Sequence, residues 1–220
     1  MTAASQPMIA ALAALGISAR RIPLGVDLDS WPLRQPARRP SGSLARLIHV
    51  ASLNPVKDQA TLLRALALLS ASGPAFHLDS VGEDTRSGEI QAMAAKLGLV
   101  DRITFHGFLP QRQLRPLMER AHVNVLSSLH EAGPLAMLEA AVVGVPTAGT
   151  AVGHIAEWAP HAALSVPVGD ANALASAIRR LLENEDLRLE IAREAQRRAG
   201  MENADQTAFQ FRTLYADLSC

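Results

Sequence analysis

Glu131 and Glu139 stand on either side of seven residues in "HEAGPLAMLEAAVVGVPTAGT" (His130–Thr150). Pro134 suits the first position of a helix, so the spacing predicts a helix from about Leu135. Glu139 then lies one turn inside it, and the amides of the Gly133–Ala136 region face outward from a helix start. Such an end carries unpaired N–H groups and partial positive charge, which suit an anion. The carboxylates in turn accept hydrogen bonds from hydroxyls. A diphosphate with a sugar on each side offers both groups. Glu139 is expected to read hydroxyls on one side of it and Glu131 on the other. Taken singly, the two acids also fit an exposed loop and a helix start favoured by the dipole.

Three further stretches carry chemistry. "SLNPVKD" puts Lys57 at a helix entrance, where a full positive charge adds to the partial one. "VGEDTRSG" supplies Gly82, which lets a backbone approach a ligand closely. "FHGFLP" places Phe108 and Leu109 after Gly107, where a flat base can pack. Each alone also reads as a surface lysine or an ordinary turn. Neither G-x-G-x-x-G nor G-x-x-x-x-G-K-[ST] is present. The histidines are scattered without metal-ligand spacing, so no metal site and no cofactor are expected.

These stretches must be held by a scaffold. Strand patterns at Leu44–Leu53, Phe76–Gly82, Asp101–Leu109, Val123–Leu129 and "VPTAGT" alternate with helical patterns at Lys57–Gly73, Ser87–Leu99, Gln111–His122 and the stretch after Pro134. Alternation of this kind predicts an α/β, Rossmann-like parallel sheet with helices on both faces. Ligands of such sheets sit beyond the carboxyl ends of the strands, where all the stretches above fall. Helices are expected at "DANALASAIRRLLEN", "DLRLEIAREAQRRAG" and the C-terminal "ADQTAFQFRTLYADL". "SWPLRQPARRPSGS" (Ser30–Ser43) reads as a linker. The expected organisation is residues 1–43 as a helix and linker, 44–200 as the sheet domain and 201–220 as a C-terminal helix.

Composition narrows the classes. Of 220 residues 49% are hydrophobic, enough for a large core. Twenty-one basic residues balance 21 acidic ones, so no basic field points to nucleic acid. The one cysteine, Cys220, excludes a disulfide framework within the chain and predicts a reducing, cytoplasmic setting. No apolar run reaches the roughly 20 residues of a membrane span. The N-terminal "MTAASQPMIAALAALGISARRIP" has its basic residues after the apolar stretch, which predicts an amphipathic helix ending near Gly16 rather than a secretory signal.

Together these stretches resemble glycosyltransferase family 4, of the GT-B fold. "SLNPVKDQATLLRAL" resembles its G-R-L-x-x-x-K-G segment, "FHLDSVGED" its strand ending in a Gly-acid turn, and "ITFHGFLP" its V-x-F-x-G-x-V strand. "HEAGPLAMLEAAVVGVPTAGTAVGHIAEW" resembles its E-x7-E motif and the G-x-P-V-V-A-T-x-x-G-G segment after it. "RRIPLGVDLDSW" resembles the V-I-P-N-G-V-D linker between the family's two domains.

The resemblance implies one half of a GT-B fold, the half that binds a nucleotide-sugar donor such as a UDP- or GDP-sugar. It implies that Lys57 meets the donor diphosphate, that Glu131 is the catalytic-side acid near the sugar hydroxyls, and that Glu139 meets the ribose. It places Gly133, Pro134 and Leu135 against phosphate and sugar, Phe108 and Leu109 at the base, and Gly82 on the donor-binding rim. It also implies transfer with retention of configuration and no required metal. The acceptor, a glycan, lipid or small molecule, is expected through an N-terminal domain absent here, which also carries any peripheral membrane association. Two departures bear on the donor. Ser52 stands where the family has an arginine, which removes a phosphate cation. Pro134 removes an N–H from the helix start. The competing readings are a nucleotide-sugar-binding module or subunit that needs a separate acceptor domain, and a nucleotide-sugar epimerase. The E-x7-E context argues against the epimerase.

Overall fold

The protein is described by a computed structural model covering residues 1–218. The expectation about Cys220 therefore lies outside the described residues. In chain order the elements are β1 (Thr2–Ala3), α1 (Gln6–Ala14), β2 (Arg20–Arg21), β3 (Ala45–Val50), α2 (Gln59–Ser72), β4 (Phe76–Val81), α3 (Glu89–Lys96), β5 (Ile103–Phe105), α4 (Gln111–Glu119), β6 (Val123–Leu126), α5 (Leu135–Val142), β7 (Thr147–Thr150), α6 (Gly153–Trp158), β8 (Leu164–Val166), α7 (Ala171–Glu183), α8 (Glu185–Met201) and α9 (Ala204–Leu218).

Six strands form one all-parallel sheet in the order β5-β4-β3-β6-β7-β8. Side chains alternate across it. Leu47, Leu78, Val123 and Val125 face one core with Leu62, Leu66 and Leu69 of α2 and Leu174 and Ile178 of α7. Ile48, Val81 and Leu126 face a second core with Leu114 and Met118 of α4, Met137 and Leu138 of α5 and Trp158 of α6. Both faces are thus covered, as parallel sheets require.

The strand order reverses between β3 and β6. From β3 the chain winds outward through β4 and β5, and from β6 it winds the other way through β7 and β8. The loops leaving β3 and β6 diverge there and open a crevice, the usual ligand position in open α/β sheets.

Several sheet strands are shorter than the sequence patterns. The first sheet strand ends at Val50 rather than Leu53, the third spans Ile103–Phe105 and the fourth ends at Leu126. In each case the carboxyl end leaves the ladder to enter the crevice loops. The sheet also has a sixth strand, β8, and the short helix α6. Neither stood out, because three and six residues show too little periodicity.

The N-terminal helix forms, but none of its residues is fully buried. It packs mainly on α6, and β1 and β2 form a separate parallel pair beside it. The Ser30–Ser43 stretch is irregular and tied to the body: Trp31 is buried, Gln196 Nε2 donates to the Arg34 carbonyl at 2.7 Å, and Arg188 donates to that of Ala37 at 2.6 Å.

Candidate functional site at the sheet's switch point

A crevice of about 580 Å³ opens where the strand order reverses. Lys57, Gly82, Phe108, Leu109, Glu131, Gly133, Pro134, Leu135 and Glu139, singled out from four separate stretches, all line it. Ser52, Glu83 and Ala136 join them, together with Val50, Ala51, Val81, Leu114 and Leu126, residues that carried no signal of their own.

Lys57 does not sit at the α-helix entrance itself. It ends a 3-10 turn (Pro55–Lys57) whose cap is Asn54, and Asp58 then caps α2. The Asp58 carboxylate accepts from the amide and hydroxyl of Thr61. The extra turn carries Lys57 across the crevice instead of along α2. Its loop is fixed to the end of β6: Ser127 Oγ donates to the Lys57 carbonyl at 2.8 Å and the Leu129 amide to that of Val56 at 2.8 Å.

Lys57 Nζ donates to Glu131 Oε1 at 2.6 Å, and Ser128 Oγ donates to the same oxygen at 2.7 Å. The lysine side chain is 26% exposed and the glutamate 10%, so the pair faces the crevice with its carboxylate largely shielded. Beneath it His49 is buried, its Nδ1 at 2.8 Å from the Val125 carbonyl. Burial pushes this imidazole down to about 4, and the nearby Lys57 cation adds to the effect.

Pro134 is the cap residue of α5 rather than its first helical residue, and helix geometry begins at Leu135. The Met137 amide donates to the Pro134 carbonyl at 3.0 Å. The amides of Leu135 and Ala136 have no acceptor within the helix and lie at the crevice wall. Glu139 follows one turn later, and burial raises its carboxyl above the ordinary range.

The remaining wall is held by backbone. The Leu53 amide donates to the Glu83 carbonyl at 2.8 Å, and the Gly82 amide to that of Gly107 at 2.9 Å. Gly82 has φ +151°, and a Cβ there would lie 2.0 Å from the Ala51 carbonyl oxygen. Phe108 is 77% exposed at the rim, with its ring free to meet a flat partner.

Chemically, the crevice has one lysine opposed by Glu83, Glu131 and Glu139, a helix start and an exposed aromatic ring. It can hold an anion at Lys57 and the α5 amides and hydroxyls at the carboxylates. Among the described residues no group of three or more His, Cys, Asp or Glu side chains could hold a metal ion. No helix among them is long and apolar enough to cross a membrane.

The profile of the family described as "Glycosyl transferases group 1" matches residues 34–198. The chain is 31% identical over 176 residues to a glycogen synthase of Mycobacterium tuberculosis, covering 79% of this chain and 42% of that protein. It is 27% identical over 187 residues to the amylovoran biosynthesis glycosyltransferase AmsK of Erwinia amylovora, covering 79% of this chain and 45% of that one. The chain thus spans less than half the length of these relatives. Among solved structures, a sucrose-phosphate synthase from Thermosynechococcus elongatus superposes with a TM-score of 0.83 at 26% identity, over 98% of this chain and 57% of that one. Anabaena HepE, solved in complex with UDP and glucose, superposes at 0.82 and 22% identity, over 98% of this chain and 62% of that one, a likeness of fold.

Proposed function

The chain belongs to the group 1 glycosyl transferases, and from that premise we propose that its crevice binds the nucleoside diphosphate of a nucleotide sugar and stabilises it as the leaving group of a retaining glycosyl transfer. The observation that carries the reading is the convergence of Lys57, Glu131, the α5 start and Glu139 in one crevice. The diphosphate lies against Lys57 and the Leu135 and Ala136 amides. The ribose hydroxyls donate to Glu139, the base meets Phe108 and Leu109, and the transferred sugar extends toward Glu131.

In the transfer, the bond between the anomeric carbon and the diphosphate oxygen breaks, its electron pair leaving with the diphosphate. A new bond forms from the acceptor oxygen to that carbon, and the hydroxyl proton passes to the departing diphosphate oxygen. Charge grows on the diphosphate as the bond breaks. Preorganised donors aimed at that charge are the main contribution this half makes to rate. Among the described residues, Lys57 is the one cationic side chain lining the crevice, and Ser52 lines it too. The α5 amides therefore carry a larger share of the phosphate contacts.

Calorimetric titration tests the reading. UDP is the first probe, because the HepE structure holds UDP, and GDP the second. One of the two should bind with at least tenfold higher affinity than its nucleoside. Equal affinity for nucleoside and diphosphate would defeat the assignment of Lys57 and the α5 start to phosphate.

A further inference from the structure

His154, the second residue of α6, is fully buried and lies outside the crevice lining. Its ring sits directly beneath Gly133: a Cβ on Gly133 would come within 2.7 Å of His154 Cε1. Its other side stacks on Trp158, with ring centroids 6.0 Å apart. Its Nε2 is 3.0 Å from the carbonyl oxygen of Ala4, just ahead of α1. Nδ1 is buried with no hydrogen-bond partner, so the Ala4 contact is the ring's one polar attachment and Nε2 carries the proton. The preceding residue, Gly153, is equally confined. A Cβ there would lie 2.8 Å from the Glu131 carbonyl oxygen.

One imidazole therefore touches two segments far apart in sequence. A cleft of about 400 Å³ separates them, with Pro7, Met8 and Ala11 on one wall and His130, Glu131 and Ala132 on the other. Glu131 also lines the main crevice, so the two spaces share this residue. A second tie runs from the same helix: the Gln6 amide donates to the Glu157 carboxylate at 3.0 Å.

We propose that His154 is a positioning residue that fixes the separation of these two walls, so that a displacement of the Glu131–Gly133 loop is transmitted to the N-terminal segment. The inference rests on the proposed donor site for its functional meaning. The transferred sugar enters beside Glu131, and its arrival then adjusts the wall that faces it across the cleft.

Hydrogen exchange on the full chain tests the coupling without any ligand. In Gly133→Ala the new methyl group displaces the imidazole, so amides of residues 2–14 exchange about threefold faster, although Gly133 does not touch them. In His154→Phe the ring stays beneath Gly133 and the bond to Ala4 is lost. Residues 2–14 then exchange about fivefold faster while residues 130–133 keep their wild-type rates. Amides of α7 serve as the control and should not change. Wild-type rates at 2–14 in both variants would overturn the proposal, as would a uniform rise that includes α7, the mark of a merely structural role. UDP titration of the wild type is read separately. Failure to bind UDP with the coupling intact counts against the donor site and leaves the coupling standing.

Discussion

Lys57 Nζ donates to Glu131 Oε1 across 2.6 Å, closing the gap between the loops after β3 and β6. The cation assigned to the diphosphate is thus already engaged by the acid assigned to the sugar. Ser128 donates to the same oxygen at 2.7 Å, so the carboxylate keeps one partner when Lys57 turns toward phosphate. Under the proposed function, donor binding exchanges the partner of Lys57, and the predictions for the pair differ from those for two independent residues.

Lys57→Gln keeps a hydrogen-bond donor and removes the charge. It should weaken UDP binding by about 1.5–3 kcal/mol, the range for a charge-assisted hydrogen bond, and leave uridine binding unchanged. Calorimetry with both ligands checks this. Equal losses for the two would assign Lys57 to the fold instead.

Glu139 gives a pH dependence with a definite sign. Burial raises its carboxyl in the folded state. Between the unfolded and folded values the folded protein binds more protons, so stability falls as pH rises through that window. Glu139→Gln lacks this titration. Its melting temperature should exceed the wild type's at neutral pH, and the gap should close as pH is lowered to the ordinary carboxylate range. A gap independent of pH would show that the carboxylate is not held in a dehydrated position.

His49 acts in the opposite direction. Its folded value is near 4, against an ordinary 6.5, because burial disfavours the cation. The unfolded chain takes up the proton first, so stability present above pH 6.5 is lost as pH falls toward 4. His122, also pushed down to about 4 by burial, contributes in the same window. Thermal melts of the ligand-free protein should fall steadily from pH 6.5 to 4. In His49→Gln with His122→Gln that part of the slope should disappear.

Gly82→Ala tests the wall. The residue's φ of +151° and the 2.0 Å approach of a Cβ to the Ala51 carbonyl leave no room for a side chain. The backbone strain alone costs about 1–3 kcal/mol, and the clash adds to it. At roughly 2–4 °C per kcal/mol for a chain of this size, the melting temperature should drop by several degrees. Because the Gly82 amide bonds the Gly107 carbonyl, UDP affinity should fall with it. A melting temperature within a degree of wild type would refute the close approach.

Much of this site is legible in the sequence because its determinants are local. Pro134 marks the start of α5, the E-x7-E spacing puts Glu139 one turn inside it, and the alternating patterns place Lys57, Gly82 and Phe108 at carboxyl ends of strands. The partnership of Lys57 with Glu131 is not local. It depends on β3 and β6 being neighbours in the sheet, a strand order that periodicity does not encode. His154 escaped notice for a related reason. Its role comes from a contact with Gly133 and another with Ala4, and no spacing rule links residues 150 positions apart. The N-terminal helix shows the reverse limit. Its apolar composition suggests a buried face, yet it packs only on α6 and the β1–β2 pair among the stronger contacts and buries none of its residues fully.

The two glutamates should separate in a four-way titration, Glu131→Gln and Glu139→Gln each against UDP and a UDP-sugar. Glu139 is on α5 and does not line the cleft, and in the proposed site its carboxylate accepts from ribose hydroxyls present in both ligands. Glu139→Gln should therefore weaken both by about 1–2 kcal/mol. Glu131 lines both crevice and cleft and pairs with Lys57, so in the proposed site it competes with phosphate for that cation. Glu131→Gln releases that cation, so UDP should bind as well as to wild type or more tightly. The sugar-bearing donor loses a charged acceptor at its hydroxyls and should bind more weakly relative to UDP. Circular dichroism confirms that both variants are folded. The division of roles fails if Glu131→Gln weakens UDP as much as the UDP-sugar, because the pair with Lys57 would then support the phosphate site instead of competing with it.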